Sequence, residues 1–189
     1  MSTLAILFSG QGAQEKGMGR DAAESSGDAK ELWLLAEKAS GLPLREIYWD
    51  GSAEDMADTR ALQPALTAVN LGYWLALKGR AAPACAAGHS LGEFAALAAA
   101  GALAVPDAIA LVALRGRLMA EDGGAGQGMA ALLKLDQAAV EDIVARAVAD
   151  SGAELRIANY NTPKQFVVSG GDAALARAAE PAQEAKGRD

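Results

Sequence analysis

Gly88-His89-Ser90-Leu91-Gly92 is the stretch that decides how this chain is read. Pro83 to Gly88 leads into it as a short strand, and Leu91 to Leu103 follows with almost no polar residue after Glu93, as a buried helix would. A strand, a sharp turn and a helix are the context that the pattern G-x-S-x-G requires. Its two glycines let the backbone pass through a strained turn with no side chain in the way, so the Ser90 hydroxyl is expected to project at the C-terminal edge of a sheet. The helix behind it would bring its positive end and free N–H groups toward an oxyanion formed at an acyl carbon. The bland alternative is an ordinary glycine-rich turn between a strand and a helix.

Working outward, Leu4 to Phe8 is a short apolar run ending at Ser9-Gly10-Gln11-Gly12, expected to be a buried parallel strand followed by a tight loop. Ala29 to Ser40 predicts a helix stopped by Gly41, and Leu62 to Lys78 carries Leu62, Ala65, Leu66, Val69, Tyr73, Trp74 and Leu77 at amphipathic helical spacing. Pro106 suits the first turn of a further helix running to about Glu121. Gly123 to Gly128 then reads as a hinge, dividing a large part, residues 1–122, from a small part, residues 123–189. In the small part the expected order is a strand at Met129 to Leu135, a helix at Gln137 to Asp150, strands at Leu155 to Asn159 and Gln165 to Ser169, and a helix at Asp172 to Lys186. The fold class is α/β, and a ferredoxin-like small part would need one strand more than this order supplies.

Composition narrows the chemistry. With 189 residues, 51% of them hydrophobic, the chain can bury a substantial core. One cysteine, Cys85, and one histidine, His89, exclude an internal disulfide and a structural zinc site, so no metal is expected. A net charge of -7 argues against nonspecific nucleic-acid and anionic-membrane partners. The apolar run at the start has no basic segment before it and is too short to span a membrane, which makes the cytoplasm the expected compartment.

Arg115 is the second informative residue. Its helical neighbours Leu111, Val112, Leu118 and Met119 are all apolar, which places the guanidinium on the buried face and calls for an anionic partner. Two partners stay open: a structural ion pair with an acidic residue such as Glu93, or the free carboxylate of a dicarboxylic acyl group. Arg117 is expected to form a solvated pair with Glu121. His89 sits beside Ser90 on a sharp turn and is poorly placed to act as its base. The Ser9–Gly12 loop lacks the third glycine of a dinucleotide fingerprint, Glu15 standing in its place, and reads better as a loop that brings a backbone N–H beside the nucleophile.

Phe8-Ser9-Gly10-Gln11-Gly12-Ala13-Gln14, Gln63-Pro64-Ala65, Gly88-His89-Ser90-Leu91-Gly92-Glu93, Leu114-Arg115-Gly116 and Asn159-Tyr160-Asn161-Thr162-Pro163 with Gln165 together resemble the malonyl-CoA:acyl carrier protein transacylases, and more widely the acyltransferase domains of fatty-acid and polyketide synthases. The resemblance implies an α/β-hydrolase-like parallel-sheet core with a smaller ferredoxin-like subdomain, apparently incomplete at the C-terminus. It implies that Ser90 carries the malonyl ester, that backbone N–H groups of Gln11 and Leu91 form the oxyanion hole, and that Arg115 holds the malonyl carboxylate. Gln63 is implied near the active site and Asn161 near the coenzyme A arm. No cofactor is implied beyond the coenzyme A thioester, which is a substrate. Malonyl-CoA and an acyl carrier protein are the implied partners, and Lys186 and Arg188 are candidates for a basic patch facing an acidic carrier.

The same resemblance leads one to expect a base histidine that this sequence does not contain. The chain is therefore expected to be a fragment, a cropped piece or one part of a noncovalent pair completed by a C-terminal fragment, with little or no transferase activity alone. An α/β-hydrolase-like esterase or thioesterase is the rival enzymatic reading, and a noncatalytic module that binds a complementing chain is the other.

Overall fold

The computed structural model of the protein describes residues 4–123 and 126–186. In chain order its elements are β1 (Ala5–Phe8), α1 (Arg20–Ser25), α2 (Gly27–Ser40), α3 (Leu44–Trp49), α4 (Ala53–Ala57), α5 (Thr59–Leu77), β2 (Cys85–Gly88), α6 (Gly92–Ala99), α7 (Val105–Asp122), β3 (Gln127–Leu133), α8 (Gln137–Ser151), β4 (Leu155–Thr162), β5 (Gln165–Gly171) and α9 (Asp172–Lys186). The chain divides into two compact units, Met1–Asp122 and Gly123–Asp189, each with its own apolar core.

In the large unit β1 and β2 pair in parallel, Ala5 opposite Cys85 and Phe8 opposite Gly88, so both strands end at one edge. Helix α5 is the centre of the packing, and every residue from Ala61 to Gly72 is buried. The amphipathic reading needs correction: Ala61 to Gly72 are buried all round, and Tyr73 and Leu77, read as part of the apolar face, are exposed. A helix enclosed on all sides must be apolar almost all round, and this one is. Leu62, Leu66 and Leu71 are fully enclosed, and burying each contributes about 1.5–3 kcal/mol. Trp33 packs edge-on to Tyr48 at 6.0 Å between ring centroids.

Helix ends follow local chemistry. Ser26 accepts from the N–H of Ala29 at the start of α2, and Gly41 takes a left-handed φ of 71° at its end. Ser52 and Asp55 form a reciprocal capping box on α4. The short helices α1, α3 and α4 were not anticipated, since five or six residues hold too little periodicity to read.

Two expectations need correction. The first strand was expected to be buried, yet only Phe8 is, and Leu7 is 77% exposed. A two-stranded parallel pair has too few neighbours to cover both of its faces. The apolar helix expected to run to Leu103 stops at Ala99, because Gly101 adopts a left-handed φ of 74° and the N–H of Ala102 folds back onto the carbonyl of Leu97. Its Leu97 is exposed.

The small unit is a three-stranded antiparallel sheet in the order β3-β5-β4. Leu155, Phe166 and Val168 of the sheet meet Val140, Ile143 and Ala147 of α8 and Ala174 and Ala178 of α9. Asp136 caps α8 by accepting from the N–H of Ala139, and Gly152 ends it at a φ of 68°. Strand β3 begins at Gln127, inside the glycine-rich stretch expected to be a hinge. The side chain of Lys186, and Arg188 altogether, lie outside the described residues. No helix among the described residues is long and apolar enough to cross a membrane.

Candidate active site

Ser90 stands between β2 and α6 with a φ of 54°, one of two non-glycine residues among those described with a left-handed backbone. A conformation of this kind persists only where its surroundings fix it. Here the carbonyl of His89 accepts from the N–H of Gly92, and that of Ser90 accepts from Glu93. A Cβ on Gly88 would come within 2.1 Å of the Gly92 backbone, and one on Gly92 within 2.5 Å of the Phe8 carbonyl oxygen. Both glycines of the motif are thus demanded by close backbone approach. Ser90 is half-buried, and Leu91, at the start of α6, is enclosed.

The loop after β1 lies against this elbow. The N–H of His89 donates to the carbonyl of Phe8 at 3.1 Å. A Cβ on Gly10 would stand 2.4 Å from the carbonyl oxygen of His89 and 2.7 Å from its Nδ1, so His89 turns toward the Gly10 loop. Gln11 follows in an exposed turn, closed by the N–H of Ala13 on the carbonyl of Gly10, while the N–H of Gly12 donates to Gln14 Oε1. No helix opens on this turn, since α1 starts only at Arg20, so it lacks the helix N-terminus a dinucleotide fingerprint needs.

Arg115 reaches the nucleophile from α7. Its Nη2 donates to Ser90 Oγ at 3.0 Å and its Nη1 to Gln63 Oε1 at 2.6 Å. Gln63 is 0% exposed, and its Nε2 donates to Thr59 Oγ1 at 2.9 Å and to Met119 Sδ at 3.1 Å. With both acceptors on Nε2, the amide oxygen is left to face the guanidinium. Gly116 makes this approach possible, because a Cβ there would lie 2.6 Å from the carbonyl oxygen of Thr59. The expected apolar enclosure of Arg115 is only partial, however. Leu111, Leu118 and Met119 are exposed, Leu118 at 45%, and the arginine itself is half-buried. Neither of its two described hydrogen bonds goes to Glu93; both end on neutral oxygens. Arg117 does pair with Glu121, at 3.7 Å.

Ser90, Leu91, Gln63 and Arg115 thus stand together in the large unit, with the Gln11 turn following the loop that packs on the elbow. Asn161 belongs to the small unit, on β4. Sequence reasoning missed Thr59, Met119, Asn70 and Ser9. A signal was available: Gln63, Thr67 and Asn70 are polar at positions i, i+4 and i+7 of an otherwise apolar run. No group of acidic, histidine and cysteine side chains suited to a metal ion occurs among the described residues.

The family model for the acyl transferase domain matches residues 6–187. The chain belongs to this acyl transferase domain family. It is 39% identical over 186 residues to the malonyl CoA-acyl carrier protein transacylase of Bacillus subtilis, a match that covers 97% of this chain and 58% of the relative. The crystal structure of a malonyl-CoA:acyl carrier protein transacylase from Xanthomonas oryzae superposes with a TM-score of 0.87 at 36% identity, covering all of this chain and 60% of that one. A malonyl-transacylase in complex with its type II polyketide synthase acyl-carrier protein superposes with a TM-score of 0.86 at 33% identity, over 97% of this chain and 60% of its own. The chain therefore spans about three fifths of the length of the relatives it matches.

Proposed function

We propose that the chain transfers a malonyl group from coenzyme A to the phosphopantetheine thiol of an acyl carrier protein through an ester on Ser90. The observation that carries this reading is the hydrogen bond from Arg115 to Ser90 Oγ, which puts a cation beside the nucleophile. In a malonyl group one methylene separates the thioester carbonyl from the free carboxylate. An acyl carbon held at Ser90 therefore brings its carboxylate within reach of a guanidinium that already touches the serine oxygen, where a bidentate pair is the strongest match. An acetyl group would leave that charge without a partner, which is the basis for discrimination.

In the first half-reaction Ser90 Oγ loses its proton to a base and bonds to the thioester carbon, and the C–S bond breaks to release coenzyme A. There the base passes that proton to the leaving sulfur; in the second, the carrier thiol gives its proton to the base and bonds to the ester carbon, the C–O bond breaks, and Ser90 Oγ is protonated by the base. The backbone N–H groups of Gln11 and Leu91 are the oxyanion donors in this reading, supported by the packing of the Gly10 loop on the elbow. Gln63 orients Arg115, and Asn161 belongs near the coenzyme A arm. Residues 1–122 would then belong to a hydrolase-like large subdomain, and 123–189 to a ferredoxin-like small one. No cofactor takes part beyond the thioester substrate, and the setting is cytoplasmic. The exposed His89, turned toward Gly10, is not the base. We assign that role to a residue outside these 189, since the sequence holds no other histidine.

Incubation with malonyl-CoA, with and without the C-terminal portion of a relative, followed by intact mass measurement and peptide mapping, tests the reading. A lasting malonyl adduct on Ser90, absent in Ser90→Ala, is expected. No adduct under either condition would sink it, and one formed only as a fleeting hydrolytic intermediate would favour an esterase.

A further inference from the structure

Among the described residues the buried polar side chains are Gln63, Thr67 and Asn70, all on α5 and spaced to share one face. Gln63 serves Arg115, and Thr67 donates to the carbonyl of Gln63 within the same helix. Asn70, 9% exposed, reaches across to the loop after β1 instead. Its Nδ2 donates to the carbonyl of Ser9 at 2.9 Å, and its Oδ1 accepts from Ser9 Oγ at 3.2 Å. Both ends of one amide thus grip one residue, the first of the loop that follows β1. On its other side the Ser9 carbonyl is approached by α6, where a Cβ on Gly92 would lie 2.7 Å away. Two residues further along the same loop comes Gln11.

We propose that Asn70 is a positioning residue that sets the Ser9–Gly12 loop so that the Gln11 N–H faces the acyl oxygen at Ser90. The inference rests on the acyl-transfer reading and deepens it. A loop held only by its own tight turn would let that donor swing, and an oxyanion donor acts through being fixed before the reaction. Helix α5 then indexes both anion-recognition elements from one face, the carboxylate site through Gln63 and Arg115, and the oxyanion site through Asn70 and Ser9.

Asn70→Asp keeps the size and places an acceptor where the donor to the Ser9 carbonyl was, while Ser9→Ala removes only the second bond. Acylation of Ser90 by malonyl-CoA is followed in a single turnover with the C-terminal portion of a relative supplied, alongside amide hydrogen exchange of residues 9–12 and of α2. For Asn70→Asp the saturating acylation rate is expected to fall on the order of 10²-fold, as for loss of one oxyanion donor. The half-saturating malonyl-CoA concentration and the malonyl-over-acetyl preference stay as in the wild type, exchange at residues 9–12 quickens, and α2 stays protected. Ser9→Ala is expected to show a smaller loss in the same rate, and it carries the test if Asn70→Asp loses protection in α2. An unchanged saturating rate in a folded variant, or a loss lying in the half-saturating concentration, overturns the inference while leaving the acyl-transfer reading intact. A wild-type chain that forms no Ser90 adduct even with the C-terminal portion of a relative supplied overturns both.

Discussion

The Ser90 hydroxyl accepts a hydrogen bond from a guanidinium. A cation at that distance stabilises an alkoxide, but it already carries its proton and takes none, so it prepares the nucleophile without replacing a base. The same guanidinium has further N–H groups to offer a carboxylate, because its two described bonds use one donor on each terminal nitrogen. Arg115→Ala is therefore expected to slow malonyl loading of Ser90 on the order of 10–100-fold, from the roughly 1.5–3 kcal/mol of a hydrogen bond to a charged group. Acetyl loading should change much less. Competition between malonyl-CoA and acetyl-CoA, read by intact mass, measures the ratio; an unchanged ratio removes the clamp role.

At the level of elements, the site is an agreement between α5, α7 and the elbow. Gly116 lets α7 lie against the first turn of α5, which is what brings Arg115 onto Gln63. Gly116→Ala would drive a methyl into the Thr59 carbonyl, 2.6 Å away, and the backbone there cannot swing aside as a side chain would. The expected cost is about 1–3 kcal/mol of overpacking, seen as a lower urea midpoint, together with weaker malonyl selectivity as the two helices move apart. A variant as stable and as selective as the wild type would show that the contact is slack.

On the scale of the whole molecule, two cores form in one chain, and ion pairs fasten the outside of the larger. Burial works to push the Glu37 carboxyl up, but hydrogen bonds from the Arg45 guanidinium and backbone N–H outweigh it and hold it below the usual range. The hydrogen bond from the Arg60 guanidinium holds Asp58 low in the same way. A carboxyl depressed in the folded state adds stability that is present above its unfolded pKa, about 4, and is lost as the pH falls through the folded value. Urea midpoints should thus fall as the pH drops below about 4. Arg45→Met should start lower at neutral pH and change less across that window. Equal slopes for the two proteins would refute the assignment.

The sequence by itself determined what neighbours along the chain decide. The elbow at Ser90, the glycine stop of α2 and the Arg117–Glu121 pair each depend on a few contiguous residues and on fixed backbone geometry, so spacing alone revealed them. The family resemblance was legible for a related reason, since residue identities at ordered positions survive without coordinates. Only the tertiary structure decided whom the long side chains meet. Arg115 finds Gln63 from 52 residues away, and Asn70 finds Ser9 from 61. Such partners are chosen by how helices pack and loops close, and that same packing left Leu7 in solvent where an apolar run had promised burial.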